Sequence, residues 1–180
     1  VKSYNKFLNP ETLDKAYNFA VKAHENQKRH SGDPYVIHPV AVANILTELK
    51  LDSATIATGL LHDTIEDTHA TYQTIKQEFG QEVADLVEGV TKISELENQA
   101  KANSRAENFR KLIIATSKDI RVLLVKIADR LHNMRTIHSI DKQEKKERIA
   151  RETMEIYSPL ADRMGMNRIC LLYTSDAADD

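Results

Sequence analysis

Apolar residues recur at helical spacing along almost the whole chain. Leu13, Ala16, Tyr17, Ala20, Val21 and Ala23 share one helical face and predict a helix over residues 11–27, entered at Pro10-Glu11. A polar stretch with Gly32 and Pro34 predicts an irregular turn over residues 28–34. A second helix is predicted from about Pro39, carrying Val40, Val42, Ala43, Ile45, Leu46 and Leu49. A third is predicted over residues 53–66, with Ser53 as its N-cap and Ala57, Leu60 and Leu61 on its apolar face. Shorter helices are expected over 72–79 and 82–90, separated by Gly80 as a C-cap. Residues 94–105 read as a mobile polar stretch, and further helices are predicted over 107–117, 119–137 and 142–169. No segment alternates as a strand does, so the predicted fold class is an all-α helical bundle.

Composition agrees with that pattern. Gly (5) and Pro (4) are scarce and Trp is absent, which favours helices. At 180 residues the chain has the length of one domain. Its net charge of −2 means that a phosphate-rich ligand needs a local basic patch. Nothing resembles the basic face of a DNA binder. No apolar run approaches the ~18 residues of a membrane span. A polar N-terminus argues against a signal peptide, and the single cysteine, Cys170, excludes an internal disulfide. These features fit a cytoplasmic protein. A chain that starts on Val1 is expected to be a fragment or a processed chain, and residues 170–180 are expected to be a non-native tail without helical periodicity.

Four clusters carry candidate chemistry. His62-Asp63 closes an apolar segment, Glu66-Asp67 follows at i+4, His38 precedes Pro39, and Asp129 closes the apolar run 122–128. Imidazole and carboxylate are good ligands for Mn²⁺, Fe²⁺ or Zn²⁺. Adjacent His62 and Asp63 need distant partners to complete a site, and His38 and Asp129 are the natural candidates. Carboxylates at i+4 can line the same face if the helix continues, and a carboxylate pair beside a metal suits general acid–base work on water. Asp129, Asn133 and Thr136 fall on one helical face, able to hold metal at one end and contact ligand at the other.

Plainer readings stand beside these. His24, His30, His69 and His138 read as solvent-facing or packed residues, and residues 142–148 as a solvated helix face with i,i+4 ion pairs. Lys28-Arg29 is readable as a solvated loop and Asp129-Arg130 as a structural ion pair. By spacing alone, these structural readings and a metal-dependent phosphohydrolase stay equally open.

The longer strings are more specific. His62-Asp63, Glu66-Asp67 and a downstream Asp129 resemble the HD superfamily of metal phosphohydrolases. Arg29 with residues 31–39 (SGDPYVIHP), residues 60–68 (LLHDTIEDT), 89–92 (GVTK), 125–136 (VKIADRLHNMRT) and 151–161 (RETMEIYSPLA) resemble the hydrolase domain of the RelA/SpoT family, in order from about Phe7 to Ile169.

That resemblance implies an HD-type helical bundle over residues 1–169, with 142–169 a connector toward a synthetase domain that this chain lacks. It implies one Mn²⁺ held by His38, His62, Asp63 and Asp129, with Glu66 and Asp67 activating and positioning water. Arg29 would pack on guanine, and Ser31, Asn133 and Thr136 would contact the nucleotide. The implied reaction removes the 3′-pyrophosphate of ppGpp or pppGpp in the stringent response, giving GDP or GTP. Ribosome contact would fall to parts of a longer protein. Lys28 and Arg135 are further candidates for phosphate contact, on charge alone. Two other readings remain: an HD phosphohydrolase for another nucleotide, and a regulatory domain that binds nucleotide without hydrolysing it. The Arg29 loop disfavours the first, and the intact acidic pair disfavours the second.

Overall fold

The computed structural model describes residues 10–99, 112–114, 116 and 118–164, without the side chains of 98 and 99. The predicted helix over 107–117 therefore falls largely outside the described residues, and the tail at 170–180 falls wholly outside them. Among the described residues there is no strand, only an isolated bridge between Lys28 and Pro34. The all-α expectation is met.

The helices are α1 (Pro10–Ala23), α2 (Ile37–Glu48), α3 (Ser53–Leu61), the single turn α4 (Thr64–Asp67), α5 (Tyr72–Phe79), α6 (Gln81–Gln99) and α7 (Ile120–Arg135). A 3₁₀ turn (Ile137–Ser139), α8 (Gln143–Glu152), a π-helical turn (Thr153–Tyr157) and α9 (Ser158–Arg163) follow. No helix is long and apolar enough to cross a membrane among the described residues.

α3 forms the centre. It packs against α1, α2, α6 and α7, and every residue from Thr55 to Leu61 is buried. Such a helix must be apolar all round, which its sequence SATIATGLL nearly is. Gly59 permits the close approach of α2. A Cβ there would stand 2.6 Å from Leu46 Cδ1 and 3.4 Å from Ala43 Cα. α7 is nearly as enclosed, with residues 122–132 and Met134 all buried. Asp119 starts it, its carboxylate accepting the Arg121 N–H at 2.9 Å.

Several boundaries differ from the sequence pattern. α1 ends at Ala23, where the chain turns back, rather than near Gln27. The N-cap of α3 is extended Asp52, and Ser53 is already helical. The predicted helix over 53–66 breaks at His62-Asp63 and resumes as α4. Gly80 does end α5, at φ +88, with its N–H on the Lys76 carbonyl.

The stretch from Ser94 to Gln99 is helical, not loop-like. Thr91 and Ser94 fold their hydroxyls onto the Val87 and Val90 carbonyls, and Ile93 is buried, so polar composition hides an inward-facing helix. The helix predicted over 142–169 is interrupted just before Pro159. The Ser158 N–H bonds the Thr153 carbonyl, a wide turn that lets Pro159 begin α9 without a clash. Leu160 packs into this domain's own core, with Ile156 and Met164 against its edge.

Candidate metal centre and adjoining cavities

The crossing of α2 and α3 brings His38, at the start of one, to His62, at the end of the other. Their rings lie 5.1 Å apart. α7 delivers Asp129. One ligand-type atom from each of His38, His62 and Asp129 lies within 4.8 Å of the others, and all three residues are buried. The Asp63 carboxylate joins them, with Oδ1 3.0 Å from His62 Nε2 and Oδ2 3.4 Å from His38 Nε2. Asp129 Oδ1 lies 3.2 Å from His38 Nε2 and 3.9 Å from His62 Nε2.

The ring of His62 is held by its far edge. Its Nδ1 donates to the Gly59 carbonyl at 2.9 Å, leaving Nε2 to face the carboxylates. That Nε2 is buried and, with Asp63 Oδ1 3.0 Å away but poorly aligned, has no well-formed hydrogen bond. An orphaned buried nitrogen beside three further imidazole and carboxylate groups fits a divalent cation. Without a cation, burial opposes charge on His62, but Asp63 and Asp129 outweigh it and raise the imidazole to about 9. Burial likewise works against charge on Asp63 and Asp129. The histidines, and Lys126 at Asp129, still hold both carboxyls well below the ordinary range.

Other side chains fix the carboxylates. Lys126 Nζ reaches Asp129 Oδ2 at 3.2 Å, Glu97 Oε2 at 3.3 Å and Ser94 Oγ at 2.9 Å. Asn133 donates to Asp129 Oδ1 at 2.7 Å. The Tyr35 hydroxyl lies 2.7 Å from Asp63 Oδ2 and 2.9 Å from Asp67 Oδ2, bridging the cluster to the acidic pair. Burial and the two carboxylates push this phenol upward, so it stays a donor.

Glu66 and Asp67 sit exposed at the mouth, in the wall of a cavity of about 280 Å³ that Asp63 and Asp129 also line. Although its side chain reaches solvent, the surrounding protein partly desolvates the Glu66 carboxyl and raises it above its ordinary value, against a Ser94 hydrogen bond and nearby Lys126.

A second cavity, of about 420 Å³, shares Arg29, Tyr35, His38, Asn133, Lys145 and Ile149 with the first. Arg29 Nη2 donates to Asn133 Oδ1 at 3.2 Å and Thr136 Oγ1 at 3.3 Å, and its guanidinium lies 5.8 Å from the Tyr35 ring. The loop holding Arg29 is ordered by its own backbone. The Arg29 N–H bonds the Asp33 carbonyl and the Gly32 N–H bonds the Arg29 carbonyl, with Gly32 at φ +89. Ser31 lines the same cavity, but its hydroxyl donates to Asp33 at 2.8 Å.

His38, His62, Asp63 and Asp129 are thus brought together, Glu66 and Asp67 lie at their edge, and Arg29, Ser31, Asn133 and Thr136 line the adjoining space. Lys28 lines the larger cavity, whereas Arg135 lines neither. Tyr35, Lys126 and His132 have no role assigned by the sequence reading, although all three lie inside the quoted strings. Lys145 and Arg148 differ from expectation. Lys145 lines both cavities and Arg148 the smaller one, rather than belonging to a purely solvated face. His24 is buried against Tyr35, and His30, His69 and His138 are exposed.

Fold and site together define a class: an all-α domain with a buried histidine–aspartate cluster suited to a divalent metal, opening onto polar cavities. The HD domain family model matches residues 16–167, and the chain belongs to that family. It is 57% identical over 166 residues to the GTP pyrophosphokinase rsh of Brucella melitensis biotype 1, covering 92% of this chain and 22% of that protein. It is 58% identical over 157 residues to the bifunctional (p)ppGpp synthase/hydrolase SpoT of Escherichia coli (strain K12), covering 87% and 22%. A Shigella flexneri relative named guanosine-3′,5′-bis(diphosphate) 3′-pyrophosphohydrolase matches to the same extent, 58% over 157 residues. The chain thus spans about a fifth of the length of these relatives (22%). A solved metazoan ortholog of SpoT, described as hydrolysing ppGpp, has the same fold, with a TM-score of 0.72 and 24% identity over 96% of this chain and 97% of that one.

Proposed function

We propose that this domain hydrolyses the 3′-pyrophosphate of ppGpp or pppGpp, giving GDP or GTP and pyrophosphate, with Mn²⁺ as its metal. The observation that carries the reading is the orphaned His62 Nε2, buried among His38, Asp63 and Asp129 and adjoined by an acidic pair and a cation-lined cavity. The names of relatives 57–58% identical to this chain support the substrate. Residues 1–169 form the hydrolase unit in this reading, acting on a nucleotide in the cytoplasm.

His38, His62, Asp63 and Asp129 would hold the cation. Bound there, it supplies Lewis-acid polarisation of a phosphoryl oxygen and lowers the pKa of water.

The chain's own groups do the rest. Arg29 packs against the base, held by Asn133 and Thr136. Ser31 contacts the nucleotide at the larger cavity. Lys28, Lys145 and Arg148 offset phosphate charge at the cavity walls. Glu66, whose carboxyl is raised, takes a proton from the attacking water and can return one to the 3′-oxygen as its P–O bond breaks. Asp67, aligned by Tyr35, positions that water.

The test is to incubate the chain with ppGpp, with and without chelator, and then restore single metals. Mn²⁺ should restore turnover best. Full turnover in excess chelator contradicts the reading.

A further inference from the structure

His38 and His132 meet ring to ring. Their Nδ1 atoms are 2.8 Å apart, with centroids 4.9 Å apart and planes inclined at 45°. Both are buried, His38 at 2% exposure and His132 at 9%. A contact this short between two imidazole nitrogens holds one hydrogen, so one ring donates and the other accepts.

The direction of that bond sets what His38 presents to the cluster. A neutral imidazole carries one N–H and one lone pair. If His38 donates from Nδ1, its Nε2 lone pair faces Asp129 and Asp63, at 3.2 and 3.4 Å. If His38 accepts at Nδ1, its Nε2 carries hydrogen toward those carboxylates and leaves no lone pair for a cation. His62 resolves the same choice differently, since its Nδ1–H is fixed by the Gly59 carbonyl, which can only accept. His38 depends instead on a side chain.

We propose that His132 is a positioning residue for the metal centre: its Nδ1 accepts the His38 Nδ1–H and thereby turns the His38 Nε2 lone pair into the cluster. The proposal rests on the metal reading given above. α7 then supplies both Asp129 and, three positions later, the group that orients the imidazole arriving from α2. A second nitrogen that accepts from a ligating histidine fixes its tautomer and ring angle, and losing such a partner costs metal affinity roughly 10- to 100-fold.

Substitutions that place an acceptor at different reaches provide the test. The oxygen of His132→Asn falls near the present Nδ1, whereas that of His132→Gln falls further out, near Nε2. Mn²⁺ binding is followed by the loss of the free-ion paramagnetic resonance signal, in the absence of nucleotide, alongside a thermal melt of each variant. Wild type and His132→Asn should bind comparably, with His132→Gln and His132→Leu roughly 10- to 100-fold weaker. Asn and Gln variants of equal affinity would overturn the proposal, even if the Leu variant fails to fold. A wild-type chain that binds no Mn²⁺ would instead overturn the metal reading beneath it.

Discussion

The Arg29 guanidinium reaches the Asn133 side-chain oxygen at 3.2 Å across 104 positions of chain. This bond ties the 28–34 loop to the helix that carries Asp129, so the wall of the larger cavity and the histidine–aspartate cluster share one scaffold. Arg29→Ala removes both the wall and the tie. Packing a guanidinium on a base contributes about 1–3 kcal/mol, so kcat/KM for ppGpp should fall roughly 5- to 150-fold, mainly through KM. An unchanged KM would remove Arg29 from the nucleotide site.

Glu66 and Asp67 stand beside the cluster without closing it. Glu66→Gln with Asp67→Asn should leave Mn²⁺ affinity near wild type while slowing turnover by at least ~10²-fold. Single-turnover rates and metal titration on one preparation separate the two effects. Normal turnover in the double variant would assign proton transfer elsewhere.

Gly59 is a packing requirement at the crossing that joins His38 to His62. The Cβ of Gly59→Ala would meet Leu46 Cδ1 at 2.6 Å in a fully buried setting. Overpacking of this kind costs about 1–3 kcal/mol, to be read as a lower urea midpoint at unchanged slope. Stability equal to wild type would show that the Leu46 side chain swings aside without loss.

The metal-free cluster should respond to pH with a definite sign. His62 is raised from 6.5 to about 9 by Asp63 and Asp129. Its charged form therefore adds stability that is fully present below 6.5 and lost as pH rises through about 9. A cation must displace that proton. Apparent Mn²⁺ affinity should thus rise with pH up to about 9, approaching tenfold per unit for one released proton. Metal titrations across that range test this, and a flat profile contradicts it.

Much of this arrangement was legible in the sequence. His38, His62, Asp63 and Asp129 each stand at the edge of an apolar segment, and apolar segments pack together, so ligand-type residues at their ends converge. The helices themselves followed from periodicity. The supporting groups were harder to see. Lys126 lies within an apolar run, and its role depends on Glu97, a residue of a segment whose polarity imitates a loop. Lys145 and Arg148 sit on a helix whose charge pattern is the same whether it faces solvent or a polar cavity. The break at His62-Asp63 was hidden too, because both residues keep αR dihedrals and neither is a residue type that ends a helix.

The most direct measurement is ³¹P NMR of the products formed when the Mn²⁺-loaded chain consumes ppGpp. GDP and intact pyrophosphate, appearing together and in equal amounts, are the predicted result. Release of orthophosphate with a 3′-monophosphate left on the nucleotide, or no consumption of ppGpp at all, would contradict the account.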